Sequence, residues 1–349
     1  MLTDDSILFD AHLSRSEIVR FLKEDDLAAL AKMYTTADDV RAVCVGEEVH
    51  IRALINFSNY CRRDCLYCGL RRGNAALKRF RMSAAEIIAA AVTAFEKGYR
   101  TVVLQSGEDK FYTENVICAI ISGIKEKCDM AVTLSLGERP YATLKAWFNE
   151  GADRYLLKHE TSDPQLYTKL HPDLRFEDRI DTLRNLKEIG YQTGSGIMVG
   201  IPGQTYESVA DDILLFKELD IDMIGCGPYI YNPKTPLKLA TPDETRYIQP
   251  EPEYVYKVVA LSRIVTRDTM IPATTALSVL NPERGVLSAL NAGANVIMIN
   301  ETPAQYKKLY EIYPRDEVSA PILSPENPFA AIEQLTGRPV ASGYGHRHL

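Results

Sequence analysis

Glu96-Lys97-Gly98-Tyr99-Arg100-Thr101-Val102-Val103-Leu104-Gln105 reads as the end of a helix, a glycine turn and an apolar strand. Glycine just past a helix takes the left-handed conformation that other residues resist, so the chain can hand over directly to a strand. The same junction recurs at Asn149-Glu150-Gly151-Ala152, Glu188-Ile189-Gly190-Tyr191 and Asn291-Ala292-Gly293-Ala294. A helix start is equally legible at Ser83-Ala84-Ala85-Glu86, a capping box in which serine and glutamate satisfy free backbone donors. Alternation and apolar runs place strands at about 49–57, 101–106, 130–136, 153–159, 192–200, 221–226, 271–275 and 295–299. Each is followed by a helical segment, the last from about Thr302. Eight β/α repeats imply an α/β fold, a single (β/α)8 barrel of the TIM type.

The organisation this predicts is an N-terminal helical extension over 1–45, the barrel over 46–315 and a tail over 316–349. In the extension, Ser14-Arg15-Ser16-Glu17 opens one helix and Leu27, Leu30 and Met33 mark another; both are expected to cap the barrel's lower end. The tail, with Pro321, Pro325 and Pro328, is expected to carry a short helix near 329–335. Gly343-Tyr344-Gly345-His346-Arg347-His348-Leu349 is expected to be disordered and solvated.

Over 349 residues, 40 basic and 47 acidic side chains give a net charge of −7. With 46% hydrophobic and 25% charged residues the composition is globular, which excludes disordered, collagenous and disulfide-rich classes. No uncharged apolar run reaches about 20 residues, so no membrane span is expected. The acidic start Met1-Leu2-Thr3-Asp4-Asp5 has no signal-peptide character, and the expected location is the cytoplasm. Net acidity argues against broad nucleic-acid binding.

Seven cysteines, an odd number without a secretion signal, argue against a disulfide framework. Cys118 and Cys128, in or beside a helix, read as structural thiols. Cys61-Arg62-Arg63-Asp64-Cys65-Leu66-Tyr67-Cys68 is different: C-x3-C-x2-C on a loop directly after the first strand. A structural zinc site closes with four ligands, and the nearest histidine, His50, lies upstream on a strand. An iron–sulfur cubane held by three cysteines leaves one iron open for an exogenous ligand. The alternative is a zinc loop with a distant fourth ligand, which would make the protein a zinc-stabilised binding module.

With Tyr67 before the last cysteine, the motif resembles the radical S-adenosylmethionine (SAM) superfamily. Within it, the chain from about Val49 to Pro314 is similar to the FeFe-hydrogenase maturases of the HydE type. The stretches that carry this are Asn59–Cys61 through Gly69–Arg72, 104–109, 133–138, 154–161, 196–204, 271–275 and 293–297. Methylornithine synthase and biotin synthase share parts of the pattern, and a radical enzyme of their kind on a small amino-acid-type substrate is the alternative. An RNA-modifying radical enzyme lacks support, because no appended basic domain is visible.

The resemblance implies one 4Fe–4S cluster on Cys61, Cys65 and Cys68, with SAM on the open iron. Reductive cleavage of SAM would release methionine and a 5′-deoxyadenosyl radical. Gln105, Ser106, Gly107 and Glu108 resemble the element that receives the methionyl ammonium. Ser135 ends the third strand; Glu160 would take the ribose hydroxyls, Arg179 the methionyl carboxylate, and Tyr67 the adenine edge. Candidates for the substrate end are Thr133, Lys158, Met223, Thr274, Thr275 and Tyr306. In the family the radical attacks sulfur of a cysteine-bound iron complex, so a small organometallic substrate and the other hydrogenase maturases are the implied partners. Two departures stand out. No cysteine follows Cys226, which predicts that an accessory cluster is lacking, and Lys158 stands where the family carries arginine, losing the guanidinium fork. Gly194-Ser195-Gly196 through Gly200 continues into Ile201-Pro202-Gly203-Gln204, not the GK[ST] of a phosphate loop, so close approach to adenosine is the expected role. The basic run Arg62, Arg63, Arg71, Arg72, Lys78, Arg79 and Arg81 offers a dock for an acidic flavodoxin or ferredoxin-type electron donor, or else braces the loop internally.

Overall fold

Among the described residues ten strands are interleaved with helices, except that β5 runs on to β6 and β7 to β8 with no helix between: β1 (His50–Ser58), β2 (Thr101–Ser106), β3 (Ala131–Ser135), β4 (Arg154–Leu156), β5 (Gln192–Ser195), β6 (Met198–Val199), β7 (Met223–Ile224), β8 (Gly227–Pro228), β9 (Pro272–Ala273) and β10 (Val296–Asn300). The structure is a computed structural model that describes residues 12–238, 247–312, 314 and 327–347. Eight strands form one parallel sheet in the order β7-β5-β4-β3-β2-β1-β10-β9, with β6 and β8 paired beyond β5 and β7. The two edges meet: Met223 bridges Met270 in parallel, with hydrogen bonds of 3.0 Å from Ile224 N–H to Met270 O and from Met270 N–H to Asp222 O. The expected barrel is therefore closed. The strand expected over 192–200 divides at Gly196, where any Cβ would collide with Gly225 O.

Alternation sorts the side chains. Ile51, Ala53, Ile55 and Phe57 of β1, Val102 and Leu104 of β2, and Val132 and Leu134 of β3 pack outward into the core beneath the helices. Their alternates, Arg52, Leu54 and Asn56, then Val103 and Gln105, then Thr133 and Ser135, face the barrel interior in tiers.

The helix Arg15–Leu22 lies on the outer helix Tyr206–Glu218, and Leu27–Val45 lies on Pro252–Thr266 and Gly285–Asn291. These helices flank the barrel and do not cap it. Only the end of the second reaches the lower end, where Val45 packs on Met223, Met270 and Val296.

The lower end is closed by the segment expected to be disordered. Val340 pairs in parallel with Val49, and the following residues cross under the strand starts. Arg52 donates to Gly345 O (2.9 Å), while Arg154 and Thr101 Oγ1 donate to Tyr344 O at 2.7 and 2.8 Å. His346 Nδ1 accepts from Arg154 Nη2 at 2.9 Å, and Arg347 pairs with Asp220, Asp222 and Asp268. The physical reason is burial: Arg52 and Arg154 stand inside the barrel with no carboxylate in hydrogen-bond contact, and this segment's carbonyls add to the acceptors that Met223, Thr101 and Gln192 supply. His348 and Leu349 lie outside the described residues, as do Pro321 and Pro325 of the expected tail. Among the described residues no helix is long and apolar enough to cross a membrane.

Candidate active site

The loop leaving β1 spans the upper end of the barrel, where strands of such barrels present their C-terminal ends. It is anchored at both sides. Asn59 Nδ2 donates to Lys78 O (2.8 Å) and Leu309 O (2.7 Å), and its Oδ1 accepts from Phe80 N–H (2.8 Å). Arg79 gathers the carbonyls of Asn59, Leu70 and Arg71, and Gly69 N–H reaches Ile312 O at 2.7 Å. Gly107, at the end of β2, meets this loop so closely that a Cβ there would collide with Tyr60 O.

Cys61, Cys65 and Cys68 all line a cavity of about 380 Å³, a size suited to a small-molecule site. Its walls also include Asn56, Gln105, Ser106, Gly107, Glu108, Ser135, Lys158, Glu160, Arg179, Thr274 and Thr275, with Leu54, Leu156 and Met298 below them. Burial raises all three thiols, joined by Glu108 at Cys61 and by the neighbouring sulfurs at Cys65 and Cys68, the last pushed up to about 12. Among the described residues no three His, Cys, Asp or Glu side chains come close enough to hold a single ion. Thiolates sharing one zinc at about 2.3 Å must converge on a point, whereas a cubane presents each thiolate with its own iron. The donor set thus fits a cluster held at three corners.

Five charges link the rim. Arg62 Nε (2.8 Å) and Arg63 Nε (2.6 Å) donate to Glu108 Oε2, and Glu108 Oε1 accepts from Glu138 N–H at 3.0 Å. Arg63 Nη2 continues to Glu138 Oε2 (3.1 Å), and Arg179 Nε donates to Glu138 Oε1 (2.7 Å). Arg179 Nη1 donates to Lys158 O, which leaves Nη2 outside these bonds. Gly137, at φ +74°, gives Glu108 room, since a Cβ would collide with its side chain. Glu108 therefore sits in the cavity wall with both carboxylate oxygens engaged by the protein.

Glu160 is the opposite case. Its φ of +65° is left-handed, a conformation that costs a non-glycine residue about 1–3 kcal/mol. Its buried Oε2 accepts no hydrogen bond; Lys158 Nζ lies 3.1 Å away but out of alignment. Asn56 Oδ1 is a second unpartnered buried acceptor in the wall. Such acceptors fit the hydroxyl and amino donors of a nucleoside.

Tyr67 is fixed by a residue with no local signal in the sequence, His171. Burial, with Arg179 nearby, holds His171 down to about 3, so the ring is neutral. Its Nδ1 faces Tyr167 O at 2.9 Å and must carry the proton; Nε2 then accepts from Tyr67 OH at 2.9 Å. Glu138 was also absent from the expected set, although an acid just past a strand-ending glycine was a usable signal.

Three substrate-end expectations are corrected. Thr133 is buried on β3 one tier below Ser135, with Oγ1 unpartnered, and does not line the cavity. Met223 lies near the lower end, its sulfur accepting from Arg52 at 2.7 Å, because β7 is entered low in the barrel. Tyr306 is outside the barrel, stacked on Phe80 and donating to Glu86 at 2.7 Å. Most of the basic run braces the loop internally: Arg62 and Arg63 on Glu108, Arg71 on Asp64, Arg79 on carbonyls, Arg81 on Asp109. Arg72, paired with Asp173, and Lys78 remain exposed.

Comparison with known proteins agrees with this geometry. Residues 55–216 match the Radical SAM superfamily. The [FeFe] hydrogenase maturase subunit HydE of Thermotoga maritima is 49% identical over 307 residues, 86% of each chain. The 3-methylornithine synthase of Methanosarcina acetivorans is 28% identical over 295 residues, 84% of this chain and 81% of that one. The crystal structure of methylornithine synthase (PylB) superposes with a TM-score of 0.81 at 25% identity, covering 97% of both chains.

Proposed function

We infer what the site does from its family: the chain belongs to the radical SAM superfamily, and within it to the family of the [FeFe] hydrogenase maturase subunit HydE. It is a radical SAM enzyme, and its cofactors are a 4Fe–4S cluster and SAM. When bound, the pair supplies a 5′-deoxyadenosyl radical through one-electron cleavage of the S–C5′ bond.

The chain's own residues hold and shield that pair. Cys61, Cys65 and Cys68 ligate three irons. Arg179 directs Nη2 to the methionyl carboxylate, a charge-assisted contact. Glu108 is locked by Arg62 and Arg63, so the methionyl ammonium meets the strand end Gln105–Gly107, whose backbone comes close because Gly107 lacks a Cβ. Glu160 accepts from the ribose hydroxyls, Ser135 lies beside the ligand, and Tyr67 bounds the adenine. Lys158, Thr274 and Thr275 form the substrate end and suit an anionic, carboxylate-bearing species. The substrate is the sulfur-containing, cysteine-bound iron complex of hydrogenase H-cluster maturation, and the electron comes from a flavodoxin or ferredoxin-type protein.

The observation that carries this reading is one cavity at the strands' upper ends whose lining brings together the three cysteines, Glu160 and Arg179. The test is anaerobic reconstitution with iron and sulfide counted, EPR with and without SAM, and hydrogenase activity restored to a strain lacking its own HydE. About four irons per chain, a SAM-sensitive reduced signal and restored hydrogenase are expected. SAM cleavage without restored hydrogenase would keep the radical chemistry and remove the maturation role.

A further inference from the structure

Glu160 carries two unusual properties at once: a left-handed backbone and a buried carboxylate oxygen that accepts no hydrogen bond and has only the ion pair with Lys158 Nζ at 3.1 Å. A strained residue persists only where its surroundings over-determine it. Those surroundings are a set of buried polar groups behind the cavity wall that no step so far uses.

On the N-terminal side, His159 is fully buried. Its N–H donates to Ser195 Oγ at 3.3 Å, and its ring places Nδ1 2.9 Å from the same oxygen. The ring packs edge-on against Phe216 and turns Nε2 toward Asp212 Oδ1 at 3.3 Å; a carboxylate there requires Nε2 to carry a proton. On the C-terminal side, Ser162 N–H donates to that same Asp212 oxygen at 2.5 Å. One carboxylate on the helix Tyr206–Glu218 thus grips the chain both before and after Glu160. The backbone of Glu160 completes the hold, donating to Gly196 O (3.0 Å) and accepting from Met198 N–H (3.4 Å).

Asp212 is itself fully buried, and its Oδ2 has no partner. Burying a carboxylate with half its acceptors unsatisfied is unfavourable for stability alone. An apolar residue would pack the same space between barrel and helix. A group kept against that tendency, and aimed at the two flanks of a strained site residue, is explained by what it does to that residue.

We propose that His159, Ser195 and Asp212 are positioning residues that hold Glu160 left-handed, so that its carboxylate enters the cavity at the height of the ribose. They touch no ligand themselves. This rests on the reading above that Glu160 binds the ribose hydroxyls.

The test is calorimetric binding of S-adenosylhomocysteine, and of its 2′,3′-dideoxy analogue, to the reconstituted holoenzyme. The proteins compared are wild type, Asp212→Ala, Glu160→Gln and the double variant, with iron content and thermal melting recorded for each. Asp212→Ala is expected to weaken S-adenosylhomocysteine binding about tenfold, to leave dideoxy binding unchanged, and to add nothing on top of Glu160→Gln. Unchanged S-adenosylhomocysteine binding in Asp212→Ala would overturn the proposal. So would an equal loss for both ligands, which is what a merely structural role gives. If Glu160→Gln itself treats the two ligands as wild type does, the ribose reading fails and takes the proposal with it. Should Asp212→Ala not fold, Ser195→Ala removes a single hydroxyl and carries the same comparison, with an expected loss of about threefold.

Discussion

Arg179 at the upper end of the barrel and Arg154 at the lower end are both buried guanidiniums, yet their surroundings push them in opposite directions. Burial alone would lower Arg179, but Tyr167 and Glu138 outweigh it and raise the group above its ordinary value. Burial pushes Arg154 down to about 10 and outweighs the charges of Asp153 and Asp222, while its hydrogen bonds go to the neutral groups Tyr344 O, Thr101 Oγ1 and His346. Arg52 beside it is lowered as well, by burial and by Arg154. The upper end alternates full charges, so its loops stay in place around a cavity open to a ligand. The lower end uses neutral carbonyls from one distant segment, which close the barrel but hold only while that segment stays docked.

The largest expected effect separates chemistry from fold. Cys65→Ala should lower deoxyadenosine formation at least about a hundredfold, with cluster iron lost and the melting curve of the apoprotein little changed. Removing residues from 341 onward tests the other end. It strips Gly345 O from Arg52 and Tyr344 O and His346 from Arg154 and should lower unfolding free energy by about 3 kcal/mol or more, read from urea midpoints.

Acid should act on both ends with the same sign. The folded value of His171, about 3, lies below that of an unfolded histidine, about 6.5, so the unfolded chain takes up its proton first. The stability this contributes is complete above about pH 6.5 and is lost as pH falls toward 3, on the order of 5 kcal/mol in all. His346, held at about 4 by burial and Arg154, adds a smaller loss of the same sign. His171→Gln should flatten stability against pH more than His346→Gln does; equal slopes would mean that the rim histidine is less shielded than its burial indicates.

A matched pair of substitutions sharpens the contrast directly. Arg179→Met should cost about 1–3 kcal/mol and weaken SAM binding, because Glu138 loses a partner. Arg154→Met, which removes a buried charge whose hydrogen bonds go only to neutral groups, should stay within about 1 kcal/mol of wild type. The smallest effect belongs to Tyr306→Phe. It deletes a bond to Glu86 outside the barrel and should change turnover by less than about twofold; a tenfold loss would put Tyr306 back at the substrate end.

Local signals carried much of this. Glycines 98, 151, 190 and 293 all take positive φ, as a helix-to-strand turn requires, and the repeat they mark is what made eight strands readable. The cysteine loop was legible because its ligands are close in sequence. Height inside the barrel was not. Met223 belongs to a short strand and Lys158 lies just past the end of one, but only the closed register shows that the first sits near the lower end and the second in the cavity wall. The docking of Tyr344 and Gly345 under Arg154 and Arg52 was invisible for a related reason. Carbonyls are common to every residue, so nothing in Gly-Tyr-Gly-His announces an acceptor for a guanidinium 190 positions earlier.

That docking also orders events on the ribosome. At roughly 5–20 residues per second, residues 344–347 are added on the order of ten seconds to a minute after Cys68. Once residue 312 has been added, the three thiols and the walls around them all exist, while Arg52 and Arg154 still face water through an unfinished base. The emerging chain is a cup open at both ends, and it becomes a vessel with one mouth only when this late segment slides beneath it.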